Sequence, residues 1–361
     1  MKVCIIGSGL VSLTLAKVLA LKGLSVDILI KNNIRKHGQT RTISITNSNV
    51  DYFNEYILNI QNLLWEIKQI KIFTEKFDKG EILNFANFNN KAFSVVRNDE
   101  IYSILKKNLA FYKNIKFKKE KNYNQLIKEN YNLIINCEYN SKITRKFFSK
   151  HVKKKYYSFA YTTIITHQSK IKNNIATQIF TKNGPIAFLP ISNKKTSVVY
   201  SFKDKMNSNT DKIIKLIHRF NPGFKIKNIE NPLKFELNSS NLRNYYKDNI
   251  LAFGELLHKI HPLAGQGFNM SLRDIKLLSL LIDKRLDIGL EIDSSLCYEF
   301  EKEIKDKNFI FSAGIDFIYE FFNLESKIQN KAISKSISTL GKNKFINNFF
   351  KKIADEGFLR S

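Results

Sequence analysis

The chain has 361 residues, a length that suits about two domains, and its 43% hydrophobic and 12% aromatic residues exclude global disorder and collagen-like structure. Cys4, Cys137 and Cys297 are too few and too scattered for a disulfide framework or a zinc site, which points to a reducing compartment. Lys and Arg outnumber Asp and Glu by 59 to 32, a formal charge of +27, but the basic residues are spread along the chain among Asn, Ile, Phe and Tyr, as drift of an A/T-rich genome would leave them; without a helix-turn-helix, zinc-finger or RNP-like pattern, nucleic acid is not an expected partner.

Met1-Lys2 leads straight into Val3-Cys4-Ile5-Ile6-Gly7, a β-branched strand and not a signal peptide. Gly7-Ser8-Gly9 follows, residues 10–21 are predicted helical, Gly23 stops that helix, and residues 26–30 form a second strand. The result is a βαβ unit with a right-handed crossover. Residues 99–109 have a helical pattern and 133–135 that of a buried strand. From about Tyr156 to Phe202 the pattern turns to strands, at 161–166, at 186–189 between a Gly184-Pro185 turn and Pro190, and at 197–202. A helix at 212–220 is halted by Asn221-Pro222-Gly223. A strand at 250–253, a glycine-rich loop, a helix at 271–282 and helical chain beyond Tyr298 complete the order. No run of about 18 apolar residues appears. The fold class is α/β, a doubly wound domain interrupted by a β-rich insert.

Gly7-Ser8-Gly9-Leu10-Val11-Ser12 follows the first strand directly. In a dinucleotide fold Gly7 makes the tight turn, Gly9 lets backbone approach a pyrophosphate, and the helix starting at Leu10 and Val11 presents free N–H groups and positive dipole. Ser12 replaces the third glycine with another small residue. The second strand ends in Ile30-Lys31, where an acid would accept from a ribose hydroxyl; a lysine there cannot accept.

A longer block runs Phe253-Gly254-Glu255-Leu256-Leu257-His258-Lys259-Ile260-His261-Pro262-Leu263-Ala264-Gly265-Gln266-Gly267-Phe268-Asn269-Met270-Ser271-Leu272-Arg273-Asp274. It resembles the second flavin-binding motif of the class A FAD-dependent aromatic monooxygenases, in particular the UbiH-type polyprenyl-methoxyphenol hydroxylases of ubiquinone biosynthesis. The small residues from Pro262 to Gly267 expose backbone N–H groups, and the following helix aims its positive end at the loop, an arrangement suited to the negative charge of a reduced flavin. Glu255 stands where the family has Asp. His258 and His261 have no third ligand at metal spacing, so no metal is expected. Phe180-Thr181-Lys182-Asn183-Gly184-Pro185-Ile186-Ala187-Phe188-Leu189-Pro190 resembles the Gly-Pro strand of the family's substrate sheet, and Arg41, in Thr40-Arg41-Thr42-Ile43-Ser44, sits where the family has a flavin-contacting arginine. The family's Asp-Gly pair after an apolar strand is replaced by Asn136-Cys137-Glu138.

The resemblance implies a p-hydroxybenzoate hydroxylase-like fold: an FAD-binding domain of residues 1–75, 93–150 and 245–298, a substrate-binding β-sheet domain of 76–92 and 151–244, and a C-terminal helical segment of 299–361. It implies FAD held by Gly7, Gly9, Leu10, Val11, Arg41, Gly254, Glu255, Pro262, Gly265, Gln266, Gly267 and Asn269, and NAD(P)H as reductant. The implied reaction is hydroxylation of the ring of a polyprenyl phenol, with no side chain assigned as acid or base. Lys31, Glu255 and the lost Asp-Gly pair leave open a non-catalytic scaffold or lipid-binding subunit, and a flavin oxidoreductase on another substrate is a further reading. Phe345, Ile346, Phe349, Phe350 and Ile353 share a helical face among Lys342, Lys344, Lys351 and Lys352. That face suits either an anionic membrane surface or packing on the body or on a partner. The expected setting is cytoplasmic, with peripheral contact to the inner face of the membrane or to other quinone-synthesis proteins.

Overall fold

The apolar runs flanking the first glycine turn lie in the middle of a mostly parallel sheet. Lys2–Ile6 is buried at every position after its first, and Ser25–Ile30 is buried through its centre, as strands covered by helices on both faces must be. The computed structural model describes residues 1–30, 41–75, 83–86, 92–119, 123–202, 210–262 and 265–328. Within them this sheet runs in the order Tyr246–Lys247, Ile250–Ala252, Leu133–Asn136, Lys2–Ile6, Ser25–Ile30, Ile115–Lys119. Neighbours are parallel except for the outer hairpin of Tyr246–Lys247 with Ile250–Ala252. Chain order reverses between Lys2–Ile6 and Leu133–Asn136, so a crevice opens at the carboxyl ends of these two strands. Leu13, Leu15 and Leu19 of helix Leu10–Leu21 share one core with Ile5, Val26, Ile28, Ile135 and Leu251 of the sheet and with Leu272, Ile275 and Leu278 of helix Gln266–Asp287.

The β-rich insert forms a second, largely antiparallel sheet. Its order is His258–Lys259, Leu233–Leu242, His151–His167, Lys195–Phe202, Gly184–Pro190, Ile175–Thr181, Gln69–Thr74, Leu83–Ala86, with Ile226–Ile229 also on His151–His167. Gln69–Thr74 joins through a parallel pairing with Ile175–Thr181, although the division read from the sequence keeps 1–75 together. His258–Lys259 crosses over in the other direction, pairing with Ser240 and Asn241. The glycine-rich block therefore starts in the first sheet and passes through the second.

One face of the second sheet carries Tyr161, Ile165, Ile179, Ile186, Phe188, Val198 and Tyr200, packed under Ile213 and Ile217 of helix Thr210–Arg219. By the period of two, Thr162, Ile164, Ala187, Leu189, Ser197 and Val199 point the other way. A third sheet, Thr42–Ile45 with Phe93–Arg97 and Trp65–Ile67, touches helix Gln266–Asp287 through Thr42–Ile45 and packs Ile67 and Val95 on Ala176 and Leu189 of the second sheet. It is tied to that second face by a hydrogen bond from Thr42 Oγ1 to Ser197 Oγ at 2.9 Å.

The last described element, Ser294–Ile328, is one long helix. Its Asn241–Ser312 and Ser239–Asp316 hydrogen bonds, 3.0 and 3.1 Å, run it across strand Leu233–Leu242. Tyr319 packs there on Ala160 and Leu237. Lys31, Leu263, Ala264 and the face from Phe345 to Ile353 lie outside the described residues. No helix among the described residues is long and apolar enough to cross a membrane.

Candidate functional site

Three turns meet at the carboxyl edge of the first sheet. Gly7 leaves strand Lys2–Ile6, Cys137 follows Leu133–Asn136, and Gly254 follows Ile250–Ala252 by one residue. Backbone hydrogen bonds Cys137 N to Ile6 O and Phe253 N to Asn136 O, both 2.9 Å, hold the three strand ends in line. A Cβ on Gly7 would lie 3.3 Å from Ser12 Oγ and 3.5 Å from Cys137 Cβ, so the small residue at position 12 does what the third glycine of the motif would do: it admits close packing of helix on strand. Cys137 is partly exposed, but desolvation pushes its thiol up to about 12. It is a packing residue and not a ready nucleophile.

Helix Leu10–Leu21 starts at Gly9 with no side-chain cap, and helix Gln266–Asp287 starts at Gly265 likewise. Both therefore turn uncapped N–H groups toward their preceding loops. The two helices contact each other, and two glycines set the spacing of the loops. Gly254 sits at φ +65 with its Cα against Val11, whose Cγ1 would be 3.2 Å from an added Cβ. Gly265 sits at φ +63 on strand Thr42–Ile45, where a Cβ would fall 2.8 Å from Ser44 Oγ. Gly9 and Gly267 differ: a Cβ at either meets nothing within 4 Å. Space in front of two uncapped helix starts, unfilled by any side chain among the described residues, is what a bound pyrophosphate and an isoalloxazine ring would need. The residues present therefore fit a flavin dinucleotide.

Asn269 is fully buried. Its Oδ1 accepts from Thr46 N at 3.1 Å and Asn49 Nδ2 at 3.0 Å, and its Nδ2 donates to Ser44 O at 2.9 Å and Gly265 O at 3.4 Å. In this arrangement the side chain braces the loop against the third sheet. Gln266 is also buried, and its Oε1 accepts from Arg273 Nη2 at 3.3 Å. Pro262 O accepts from Gly265 N at 3.3 Å, closing the turn between them. Arg41 and Glu255 form an ion pair at 3.2 Å, with 64% and 61% of their side chains exposed. These contacts bring Gly7, Gly9, Leu10 and Val11 at one helix start together with Pro262, Gly265 and Gly267 at the other, around a groove beside which Gly254, Glu255 and Arg41 stand, while Gln266 and Asn269 are buried behind the loop.

A buried polar triad behind the loop was not apparent from the sequence. His258 Nε2 lies 2.6 Å from Asp274 Oδ2, and Asn308 Nδ2 donates to Asp274 Oδ1 at 3.0 Å. It links the start of the loop, helix Gln266–Asp287 and helix Ser294–Ile328. His261 is buried with its ring 4.2 Å from that of Tyr319, and the Arg273 guanidinium lies 4.3 Å from the Phe311 ring, so the long helix backs the loop along its length. The only advance sign of the triad was His258 and Asp274 within one motif; Asn308 had none.

On the face of the second sheet turned toward Thr42, Thr162, Ile164 and Ser197 are buried and Leu189 packs on Ile67 and Val95 of the third sheet, which leaves Ala187 and Val199, neither of them ionisable, partly exposed. Such a surface can hold a flat apolar ring and keep water away, but it cannot exchange a proton with one.

No family model matches the chain. Among curated proteins, the ubiquinone biosynthesis monooxygenase COQ6 of Dictyostelium discoideum is 26% identical over 187 residues, 41% of this chain and 38% of that protein. The 3-demethoxyubiquinol 3-hydroxylase of Escherichia coli is 28% identical over 158 residues, 40% of this chain and 39% of that protein. The matched stretches span about two fifths of these relatives. Among solved structures, p-nitrophenol 4-monooxygenase PnpA of Pseudomonas putida superposes with a TM-score of 0.77 at 11% identity over 97% of each chain. HpxO of Klebsiella pneumoniae, complexed with FAD and uric acid, gives 0.72 at 12% identity over 99% of this chain and 97% of that one. The chain has the p-hydroxybenzoate hydroxylase-like fold of the class A FAD monooxygenases, and in sequence it resembles their ubiquinone-biosynthesis branch.

Proposed function

We propose that this protein is an FAD-dependent monooxygenase that hydroxylates the aromatic ring of a polyprenyl phenol in ubiquinone biosynthesis. The observation that carries the reading is the pair of uncapped helix starts at Gly9 and Gly265, with open space before Gly9 and Gly267. Support for the substrate class comes from the likeness to ubiquinone-biosynthesis enzymes. In outline, ring C–H, O₂, NAD(P)H and a proton give ring C–OH, water and NAD(P)⁺.

FAD, when bound, supplies the redox and oxygen chemistry. The chain's own part is placement and electrostatics. The N–H groups at Gly9, Leu10 and Val11 would hold the pyrophosphate. Those at Gln266 and Gly267 would face the ring edge that gains negative charge on reduction. Asn269 and the His258–Asp274–Asn308 triad keep that loop rigid, so its dipoles need no rearrangement. The neutral, partly exposed Ala187, Leu189 and Val199 of the second sheet would lie against the substrate ring and exclude water, leaving the ring's own electron density to direct the reaction.

The residues assigned to FAD other than Glu255, the three-part domain division and a peripheral contact with the cytoplasmic membrane face are parts of the same proposal. The test is to purify the full-length chain and its Gly9→Val and Gly267→Val variants, record visible spectra with and without added FAD, and follow a polyprenyl phenol by mass with NAD(P)H. The expected result is a flavin-bound wild type that adds one oxygen atom to the ring, and two folded variants without flavin. A folded wild type that binds no added FAD overturns the reading and favours a scaffold or lipid-binding subunit.

A further inference from the structure

The rim of the groove carries a feature that a dinucleotide would have to displace. Arg41 precedes strand Thr42–Ile45, on which Gly265 rests, and Glu255 follows Gly254, which rests on Val11. The 3.2 Å ion pair from Arg41 Nη2 to Glu255 Oε1 therefore spans from one glycine loop to the other, over the groove. It neutralises the Arg41 guanidinium, a cation that the rim would otherwise offer an anionic ligand.

We propose that Glu255 is an affinity-limiting residue: its carboxylate clasps Arg41 across the groove and competes with the ligand's pyrophosphate for it. The inference rests on reading the groove as a dinucleotide site, and it sets the sign of Glu255's contribution. A carboxylate that accepted from a ligand hydroxyl would strengthen binding, whereas a clasp weakens it.

With roughly three fifths of each side chain in solvent, the pair is of the exposed kind. Its loss then corresponds to about a two- to fivefold change in a binding constant. Glu255→Gln keeps the shape, frees Arg41 and raises the charge of the pair from zero to +1. The dissociation constant for FAD should fall about two- to fivefold, and the gain should vanish near 1 M salt, where the screening length drops to about 3 Å. Arg41→Gln should weaken binding, and Glu255→Gln placed on top of it should restore less than it gives alone.

The experiment is a titration of the flavin-free full-length chain and these three variants with FAD, followed by flavin fluorescence, and with ADP, followed calorimetrically, at low and high salt. ADP carries the pyrophosphate without the flavin, so it tests the clasp independently of flavin recognition. Tighter binding of both ligands by Glu255→Gln, lost at high salt, supports the proposal. Unchanged or weaker binding by that variant overturns it while leaving FAD binding intact. If ADP binding tightens and FAD does not bind, the clasp stands and the monooxygenase reading falls. If neither ligand binds any variant, both fall.

Discussion

Alanine at Gly265 and at Gly267, two positions in one loop, should change stability in opposite directions. At Gly265 the backbone is left-handed, φ +63 and ψ 27, which costs an L side chain roughly 1–2 kcal/mol. The new Cβ would also stand 2.8 Å from Ser44 Oγ and 2.9 Å from Ser44 Cβ, both on a strand braced by Asn269. Overpacking against such a neighbour adds about 1–3 kcal/mol, for about 2–5 kcal/mol in all. At Gly267 the backbone is helical and the space open, so alanine should stabilise by about 0.5–1 kcal/mol through lower unfolded-state entropy. An unfolding entropy of about 2.1 cal/mol/K per residue, taken over the chain as one cooperative unit, makes 1 kcal/mol worth about 1.3 °C. Differential scanning calorimetry of the flavin-free proteins should then show Gly265→Ala melting about 3–7 °C below wild type and Gly267→Ala up to about 1 °C above it. Melting points within 1 °C of each other would refute the geometry assigned to this loop.

Asp274→Ala removes the acceptor for two buried partners, His258 and Asn308, and at about 1–3 kcal/mol for each partner left unsatisfied should cost about 2–6 kcal/mol in urea unfolding; a loss under 1 kcal/mol would show the triad to be idle. His167 is buried beside Thr196 and Phe224, and burial holds its imidazole below the ordinary histidine range. Its stabilisation is complete above about pH 6.5, where the unfolded chain is also neutral, and it is lost as pH falls through the folded value. The wild-type advantage over His167→Phe should therefore shrink between about pH 6.5 and 5, by at most about 1.4 kcal/mol per pH unit. An advantage that stays constant across that window would contradict the assignment.

Local pattern was enough for the opening βαβ unit. Helix Leu10–Leu21 has the extent expected of it, because its apolar residues and the Gly23 stop are all local signals. The strand expected at 161–166 is the inner part of His151–His167, whose lysine-rich start pairs with Leu233–Leu242; only that distant partner makes Lys153 to Lys155 a strand. Helix Gln266–Asp287 begins ahead of the expected 271, since Asn269 and its bonds to Ser44, Thr46 and Asn49 override the poor helix propensity of Gly267. The glycine residues of the groove were legible because backbone geometry demands that residue type. Ser44, Asn308 and the Arg41–Glu255 pair were not, because their roles depend on which chain segments meet.

The sheet that carries the groove takes its second strand from residues 25–30 and its innermost late strand from Ile250–Ala252, with nearly the whole second sheet encoded in between. On a ribosome adding about 5–20 residues per second, the first strand waits roughly 12–48 s before the strand that pairs with Leu133–Asn136 on its far side is made. Until then, one side of Leu133–Asn136 is an unpaired edge, and the helix that covers the core from Gln266 onward does not exist. Pairings this far apart in sequence are slow to form. Newly made chain is thus most open to aggregation and proteolysis in its N-terminal half. A mutation that slows folding of the inserted sheet would lower the yield of native protein without touching a residue of the groove.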